Sequence, residues 1–215
     1  MVKAVVFDAG ETLVNESRQW RMWAEWLRVP DHVLFAALGA IIERGEHHQR
    51  VFQLLKPGFD LEMAREERRK SGAPDRFDRT DFYGDVFDCF NELRKRGLRL
   101  GIAGNQPEDF LQAVSDGDLP VDFIASSAQW RVEKPSPAFF SKLVDELNLP
   151  PSSIAYVGDR LDNDVLPALA AGLIAVFIRR GPWGFLHAQR PEATKAHLRI
   201  DSLSELPSAF ESLTG

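Results

Sequence analysis

Five short apolar runs, at residues 2–7, 98–103, 123–125, 154–157 and 174–178, punctuate this chain. Runs of this length without polar alternation suit strands buried on both faces, as in a parallel sheet. Between them, residues 109–115, 136–147 and 163–171 repeat Phe, Leu, Val and Ala at helical spacing. Pro107 and Pro137 stand near predicted helix starts, and Gly172 just past a helix end, where the backbone preferences of proline and glycine favour them. Strand and helix in alternation predict a doubly wound α/β fold, with a mainly parallel, Rossmann-like sheet and right-handed crossovers.

The rhythm breaks after the first run. Residues 15–80 carry no convincing strand pattern, and helical spacing covers 17–28, 31–44, 48–55 and 61–70 instead. The break falls between the first and second strands. It predicts an α/β domain of residues 1–14 and 81–215 with an α-helical insertion at 15–80. Trp20, Trp23 and Trp26 recur every three residues in the insertion. That spacing makes them core residues of the insertion, with one or two rings as candidates to line a substrate pocket.

Composition narrows the function classes. The 215 residues suffice for one domain plus an insertion. The apolar share of 44% and charged share of 27% are those of an ordinary soluble protein. A net charge of −6 argues against a general nucleic-acid-binding surface. The single cysteine, Cys89, excludes an intrachain disulfide and suits a reducing compartment. No apolar run approaches the roughly 20 residues that span a bilayer, and no membrane partner is expected. Residues 2–7 are too short for the apolar region of a signal peptide. A cytoplasmic protein is the expectation.

The polar residues that interrupt the pattern carry the chemistry. Asp8 ends the first run, in Phe7-Asp8-Ala9-Gly10-Glu11-Thr12-Leu13. An acid at the carboxyl end of a parallel strand sits at the mouth of the sheet, where α/β folds bind ligands. There it can attack an electrophile and form a covalent aspartyl intermediate, or simply cap a turn. The fourth run leads into Gly158-Asp159-Arg160-Leu161-Asp162-Asn163-Asp164. Its carboxylates, close to Asp8, are hard oxygen ligands suited to Mg²⁺, and equally suited to capping the next helix. Lys134, in Glu133-Lys134-Pro135-Ser136-Pro137, is the compact cation that clustered anions need. Arg179 and Arg180 follow the fifth run, in a predicted loop near the site that is assigned no role, a substrate-anion contact being its minor reading.

In this order, residues 7–13, 98–105, 134–137 and 157–164 resemble the haloacid dehalogenase (HAD) superfamily of aspartate-nucleophile hydrolases. The resemblance covers nearly the whole chain. It implies Asp8 as nucleophile, and Mg²⁺ bound by Asp8, Asp159 and the backbone carbonyl of Gly10, with Asp164 acting directly or through water. It implies Lys134 as the catalytic, phosphate-binding cation and the insertion as a cap. It places phosphate contacts at Gly104 and Asn105, and implies a small phosphorylated metabolite as substrate.

Two positions depart from the family pattern. Gly10 stands where a second Asp serves as general acid and base, and Gly104 where a Ser or Thr ends the second strand. General acid–base catalysis contributes roughly 10²–10⁴-fold, so weak hydrolysis of simple esters is expected. Acyl phosphates, whose leaving group needs no such proton, or phosphonates cleaved through an activated intermediate, are one alternative. An impaired catalyst that binds a phosphorylated ligand or a protein partner is another. Glu11, one residue further on, is the nearest acid able to stand in.

Overall fold

The computed structural model describes residues 1–73, 76–106, 114 and 119–213. The helix predicted at 109–115 lies outside the described residues, Val114 excepted. The chain divides into two compact units, Met1–Asn15 with Asp78–Gly215, and Glu16–Phe77.

In the first unit the five apolar runs are strands: β1 (Ala4–Phe7), β2 (Arg99–Gly104), β3 (Phe123–Ser126), β4 (Ile154–Gly158) and β5 (Ile174–Ile178). A sixth, β6 (Leu198–Ile200), joins them, in the order β3-β2-β1-β4-β5-β6. Every pairing is parallel. All residues of β1 and β4 are buried, which is why their sequences run apolar without alternation. β6 has no such signature. It is three residues long, with Arg199 exposed, and its strand state comes from pairing with β5.

Helices cover both faces of the sheet. They are α5 (Val86–Lys95), α6 (Ser127–Trp130), α7 (Pro137–Leu147), α8 (Leu166–Ala170), α9 (Gly181–His187) and α10 (Leu206–Ser212). On one face, Ala4 and Val6 of β1 share a core with Phe139, Phe140 and Leu143 of α7 and with Tyr156 of β4. On the other, Phe7 stacks on Phe90 of α5 at 4.5 Å. α7 shows the local logic. Ser136 caps it by accepting a hydrogen bond from the Ala138 N–H at 3.3 Å, and Pro137 starts it at no cost in N–H donors. Asn148, at φ 50°, ends it in the left-handed conformation that asparagine tolerates. The helix predicted at 163–171 is α8, preceded by a π-type turn at Leu161–Val165.

The second unit holds the helices of the insertion: α1 (Ser17–Leu27), α2 (Asp31–Glu43), α3 (Arg50–Leu55) and α4 (Leu61–Lys70). Trp20, Trp23, Ala24 and Leu27 bury one stripe of α1 at helical spacing. Trp23 meets Phe52 edge-on at 4.9 Å, and the Arg68 guanidinium stacks over its ring at 4.1 Å. Trp20 and Trp23 are thus core residues of this unit, while Trp26 is half-buried. Among the described residues, no helix is long and apolar enough to cross a membrane.

Candidate functional site

The strand order reverses at the centre of the sheet. From β1 the chain builds outward through β2 to β3, then restarts with β4 on the other side of β1. The carboxyl ends of β1 and β4 therefore flank a topological switch point, where open α/β sheets form a crevice. Asp8 and Asp159 are the residues that follow these two ends. The Asp8 N–H donates to the Val157 carbonyl at 2.8 Å, fixing one strand end to the other. Asp164 arrives from the π-type turn, and its Oδ2 accepts from the Arg160 N–H at 3.0 Å. Gly158 makes this possible, because a Cβ there would stand 2.5 Å from the Asp164 side chain. One carboxylate oxygen from each of Asp8, Asp159 and Asp164 lies within 4.8 Å of the others.

Lys134 reaches this cluster from the loop before α7. Its Nζ donates to Asp8 Oδ1 and to Asp164 Oδ1, each at 2.6 Å, and its side chain is fully buried. Burial alone would lower the ammonium's pKa, but the facing charges of Asp164 and Asp8 carry it well above its ordinary value. Lys134 stays charged. Its backbone is gripped by Asn105, whose Nδ2 donates to the Lys134 carbonyl at 2.9 Å and whose Oδ1 accepts from the Lys134 N–H at 2.8 Å. The Asn105 side chain, expected to contact phosphate, is committed to positioning Lys134. Tyr156, which carries no signal in the sequence, backs the ammonium with its ring at 5.4 Å and donates its hydroxyl to the Ala103 carbonyl at 2.7 Å.

Three carboxylates against this ammonium leave two negative charges uncompensated, the charge of one divalent cation. The deficit is concentrated on Asp159. Both its carboxylate oxygens are buried and without a hydrogen-bond partner among the described residues. A buried charge in that state is costly, and ordinarily takes up a proton or a metal. Accordingly the Asp159 carboxyl is raised well above the usual range, first by burial, then by the charges of Asp164, Asp8 and Glu11. Asp164 is pushed up to about 6, by burial and by Asp8, against the opposing pull of Lys134. An all-oxygen donor set with an orphaned carboxylate fits a hard divalent cation.

The loop after β1 folds back tightly. The Leu13 and Val14 N–H groups both donate to the Ala9 carbonyl, and Gly10 forms a bridge with Val14. Its left-handed residue is Glu11, at φ 52°, a conformation that costs a non-glycine residue of order 1–3 kcal/mol. Glu11 is buried, and its Oε2 accepts from the Tyr83 hydroxyl at 2.5 Å. Gly181 leaves room for it, since a Cβ there would stand 2.6 Å from the Glu11 side chain. Arg180 stacks over the Tyr83 ring at 4.1 Å, donates to the Thr12 carbonyl at 2.9 Å and pairs with Asp85. Arg179 forms a two-pronged pair with Asp201. Arg180 thus ties down the loop after β1, and Arg179 pairs with a residue that follows the edge strand β6, so neither takes up the minor reading of a substrate-anion contact.

One residue close to Asp8 carries no sequence signal at all. Gln106 Nε2 lies 3.5 Å from Asp8 Oδ1, just beyond Gly104, which the parallel register sets beside the end of β1.

A family model describing haloacid dehalogenase-like hydrolases matches residues 2–172. A glyceraldehyde 3-phosphate phosphatase from Methanopyrus kandleri is 29% identical over 209 residues, covering 85% of this chain and 86% of that relative. A phosphoserine phosphatase from Thermus thermophilus is 30% identical, over 75% of this chain and 64% of its own length. Among solved structures, the HAD-hydrolase YfnB from Bacillus subtilis, bound to magnesium, superposes with a TM-score of 0.70 at 18% identity, covering 95% of this chain and 96% of the other. The L-2-haloacid dehalogenase of Xanthobacter autotrophicus gives 0.69 at 18% identity, with 98% and 99% covered. At these identities the structures attest to the shared fold.

Proposed function

The chain belongs to the haloacid dehalogenase-like hydrolase family, and on that premise we propose that it is a Mg²⁺-dependent phosphatase of small phosphorylated metabolites, with Asp8 as nucleophile. The observation that carries this reading is the junction of Asp8, Asp159 and Asp164 on one buried lysine, with Asp159 left unsatisfied. Asp8, Asp159 and the Gly10 carbonyl would hold the metal, with Asp164 direct or through water. When bound, Mg²⁺ supplies charge neutralisation for the phosphoryl oxygens.

The chain's own residues do the rest. An Asp8 carboxylate oxygen attacks phosphorus, the bond to the leaving oxygen breaks, and an aspartyl phosphate forms. Water then attacks that phosphorus, releasing inorganic phosphate and restoring Asp8. Lys134 offsets the negative charge that Asp8 and the phosphoryl group bring together. The departing oxygen needs a proton unless it is a weak base, and Gly10 supplies none. Substrates with weakly basic leaving groups, acyl phosphates among them, are therefore favoured over alkyl esters. The helical unit at 16–77 is, on this reading, the insertion that sets substrate choice.

The relatives' names point to the first panel for assay: glyceraldehyde 3-phosphate, phosphoserine and phosphoglycolate, with acetyl phosphate beside them. Phosphate release that requires Mg²⁺ and vanishes in Asp8→Asn is the expected result. Release that persists in Asp8→Asn would overturn the assignment of the nucleophile. Phosphorylated ligands that bind without any turnover would favour a binding protein.

A further inference from the structure

The glycine at 104 leaves a volume that two other side chains share. A Cβ built on Gly104 would stand 2.5 Å from Asp8 Oδ1 and 3.2 Å from Gln106 Nε2. Phe7 pairs with Ile102, so Asp8 lies level with the last residues of β2. From two residues further on, the half-buried Gln106 turns its carboxamide back into the same volume. The space beside the Asp8 carboxylate is thus filled by an amide rather than by a hydroxyl on the strand.

The separation of Gln106 Nε2 from Asp8 Oδ1, 3.5 Å, exceeds the usual 2.7–3.2 Å of an N–H···O bond. Asp8 Oδ1 is already satisfied at 2.6 Å by Lys134. The Gln106 N–H groups are therefore close to the carboxylate without being consumed by it. The neighbouring amide is in the opposite state, since both ends of Asn105 are spent on the Lys134 backbone. An electrophilic phosphorus poised for attack stands roughly 3–3.5 Å from the attacking oxygen. Its other oxygens then come within reach of a donor placed as Gln106 is. Those oxygens carry the charge of the transition state, and preorganised neutral donors lower its energy.

We propose that Gln106 is a phosphoryl-binding residue of this site, donating from Nε2 to a phosphoryl oxygen at Asp8, and that Gly104 leaves the room for it, since a Cβ there would press on the Asp8 carboxylate and crowd this amide. The inference rests on the phosphoryl-transfer reading of Asp8. A neutral amide adds a donor without competing with Lys134 or a metal for the carboxylates.

The test uses the full chain with Mg²⁺, an aryl phosphate as substrate and vanadate as the probe of phosphoryl binding. Gln106→Met keeps the volume of the side chain and removes the donor. It is expected to lower kcat about 10²-fold, with a smaller change in KM, a matching loss of vanadate inhibition and an unchanged melting temperature. Gln106→Asn keeps the amide but withdraws it by one methylene, and is expected to show the same loss; it is read alone if the methionine variant folds poorly. Gly104→Ala is expected to be impaired as well. Adding Gln106→Met to it should cost little more, because residues that share a partner are not additive. Wild-type kcat and vanadate inhibition in Gln106→Met would overturn the inference, as would strictly additive losses in the double variant. If the unmodified chain shows no Asp8-dependent phosphate release, the reading of the site fails and the inference with it. Asp8-dependent release that Gln106→Met leaves undiminished overturns the inference alone.

Discussion

Asn105 and Lys134 are joined by a closed pair of hydrogen bonds, side-chain amide to backbone, at 2.9 and 2.8 Å. One carboxamide thereby holds the peptide whose ammonium touches both Asp8 and Asp164. Asn105→Asp keeps the acceptor, loses the donor and adds a negative charge beside an anionic site. It takes the donor from the Lys134 carbonyl in a part-buried bond, a loss of about 1 kcal/mol. Urea unfolding is expected to show that loss. Turnover should fall about tenfold or more, the response to an ångström-scale misplacement of a catalytic cation. Full activity in a destabilised Asn105→Asp would separate the pair from catalysis.

Asp159 has the most to gain from a cation, since its two oxygens are buried and unsatisfied. In EDTA at mildly alkaline pH, Asp159→Asn is expected to melt higher than the parent, because it removes a carboxylate whose ionisation burial and its neighbours oppose. Mg²⁺ should reverse the order. A ligand at a hundred times its Kd stabilises the native state by about 2.7 kcal/mol, and only the parent can bind it well. Calorimetry with and without Mg²⁺ checks both signs. Equal Mg²⁺ shifts in the two proteins would place the metal elsewhere.

Lys134→Met strands the carboxylates of Asp8 and Asp164. Removing one partner of a buried ion pair destabilises by about 3–5 kcal/mol. The deficit should shrink as the solution is made more acidic, because the stranded Asp164 carboxylate takes up a proton. A carboxyl already pushed up to about 6 with the lysine present, as Asp164 is, rises further without it. Denaturation curves at neutral and acidic pH compare the two conditions, and a deficit that does not depend on pH would contradict this account.

His187 sets a second pH dependence, of opposite sign. Its Nδ1 accepts from the Leu161 N–H at 3.0 Å, at the start of the turn that carries Asp164. Burial lowers this imidazole to about 4, with Asp162 opposing. Between about 6.5, the ordinary histidine value, and that point, the unfolded chain binds a proton that the folded chain refuses. The stability His187 contributes is thus complete above the upper value and is lost as the pH falls through the window. The melting temperature of the parent should drop more steeply across this range than that of His187→Gln. The difference between the two proteins isolates the histidine from the carboxylates. Parallel curves would rule the histidine out as the source.

Gly10→Asp tests the missing proton donor. If the leaving oxygen departs unassisted, the new carboxyl should raise turnover of alkyl phosphates most, aryl phosphates less and acetyl phosphate least, in the order of leaving-group basicity. Circular dichroism and a melting curve must first show an intact fold. Equal gains on all substrates would mean that the new carboxylate acts through the metal or the fold instead.

The parts of this protein legible in its sequence are those that local pattern dictates. β1 and β4 are buried throughout, and burial on both faces leaves no choice but an unbroken apolar run. Asp8, Lys134, Asp159 and Asp164 are polar residues placed directly after such runs or in proline-fixed loops, so their convergence follows once the sheet is parallel. β6 escaped because it is three residues long with a half-exposed first residue. Its pairing energy comes from β5, distant in sequence.

The sequence alone determined which polar side chains stand at the strand ends, since the spacing of apolar runs marks where each strand stops; the strand order that makes a switch point there came from the structure. What each side chain does there was decided by the tertiary structure. Asn105 and Gln106 are adjacent amides with similar chemistry. One is spent on the Lys134 backbone and the other is turned toward Asp8, and nothing local to the sequence distinguishes them. Arg180 has no role assigned by the sequence, and only the fold places Asp85 and the Thr12 carbonyl against it. The reason is the range of the forces. Burial of an apolar strand is a property of a few consecutive residues, whereas a hydrogen bond or an ion pair depends on a partner within about 3 Å, and that partner comes from another part of the chain.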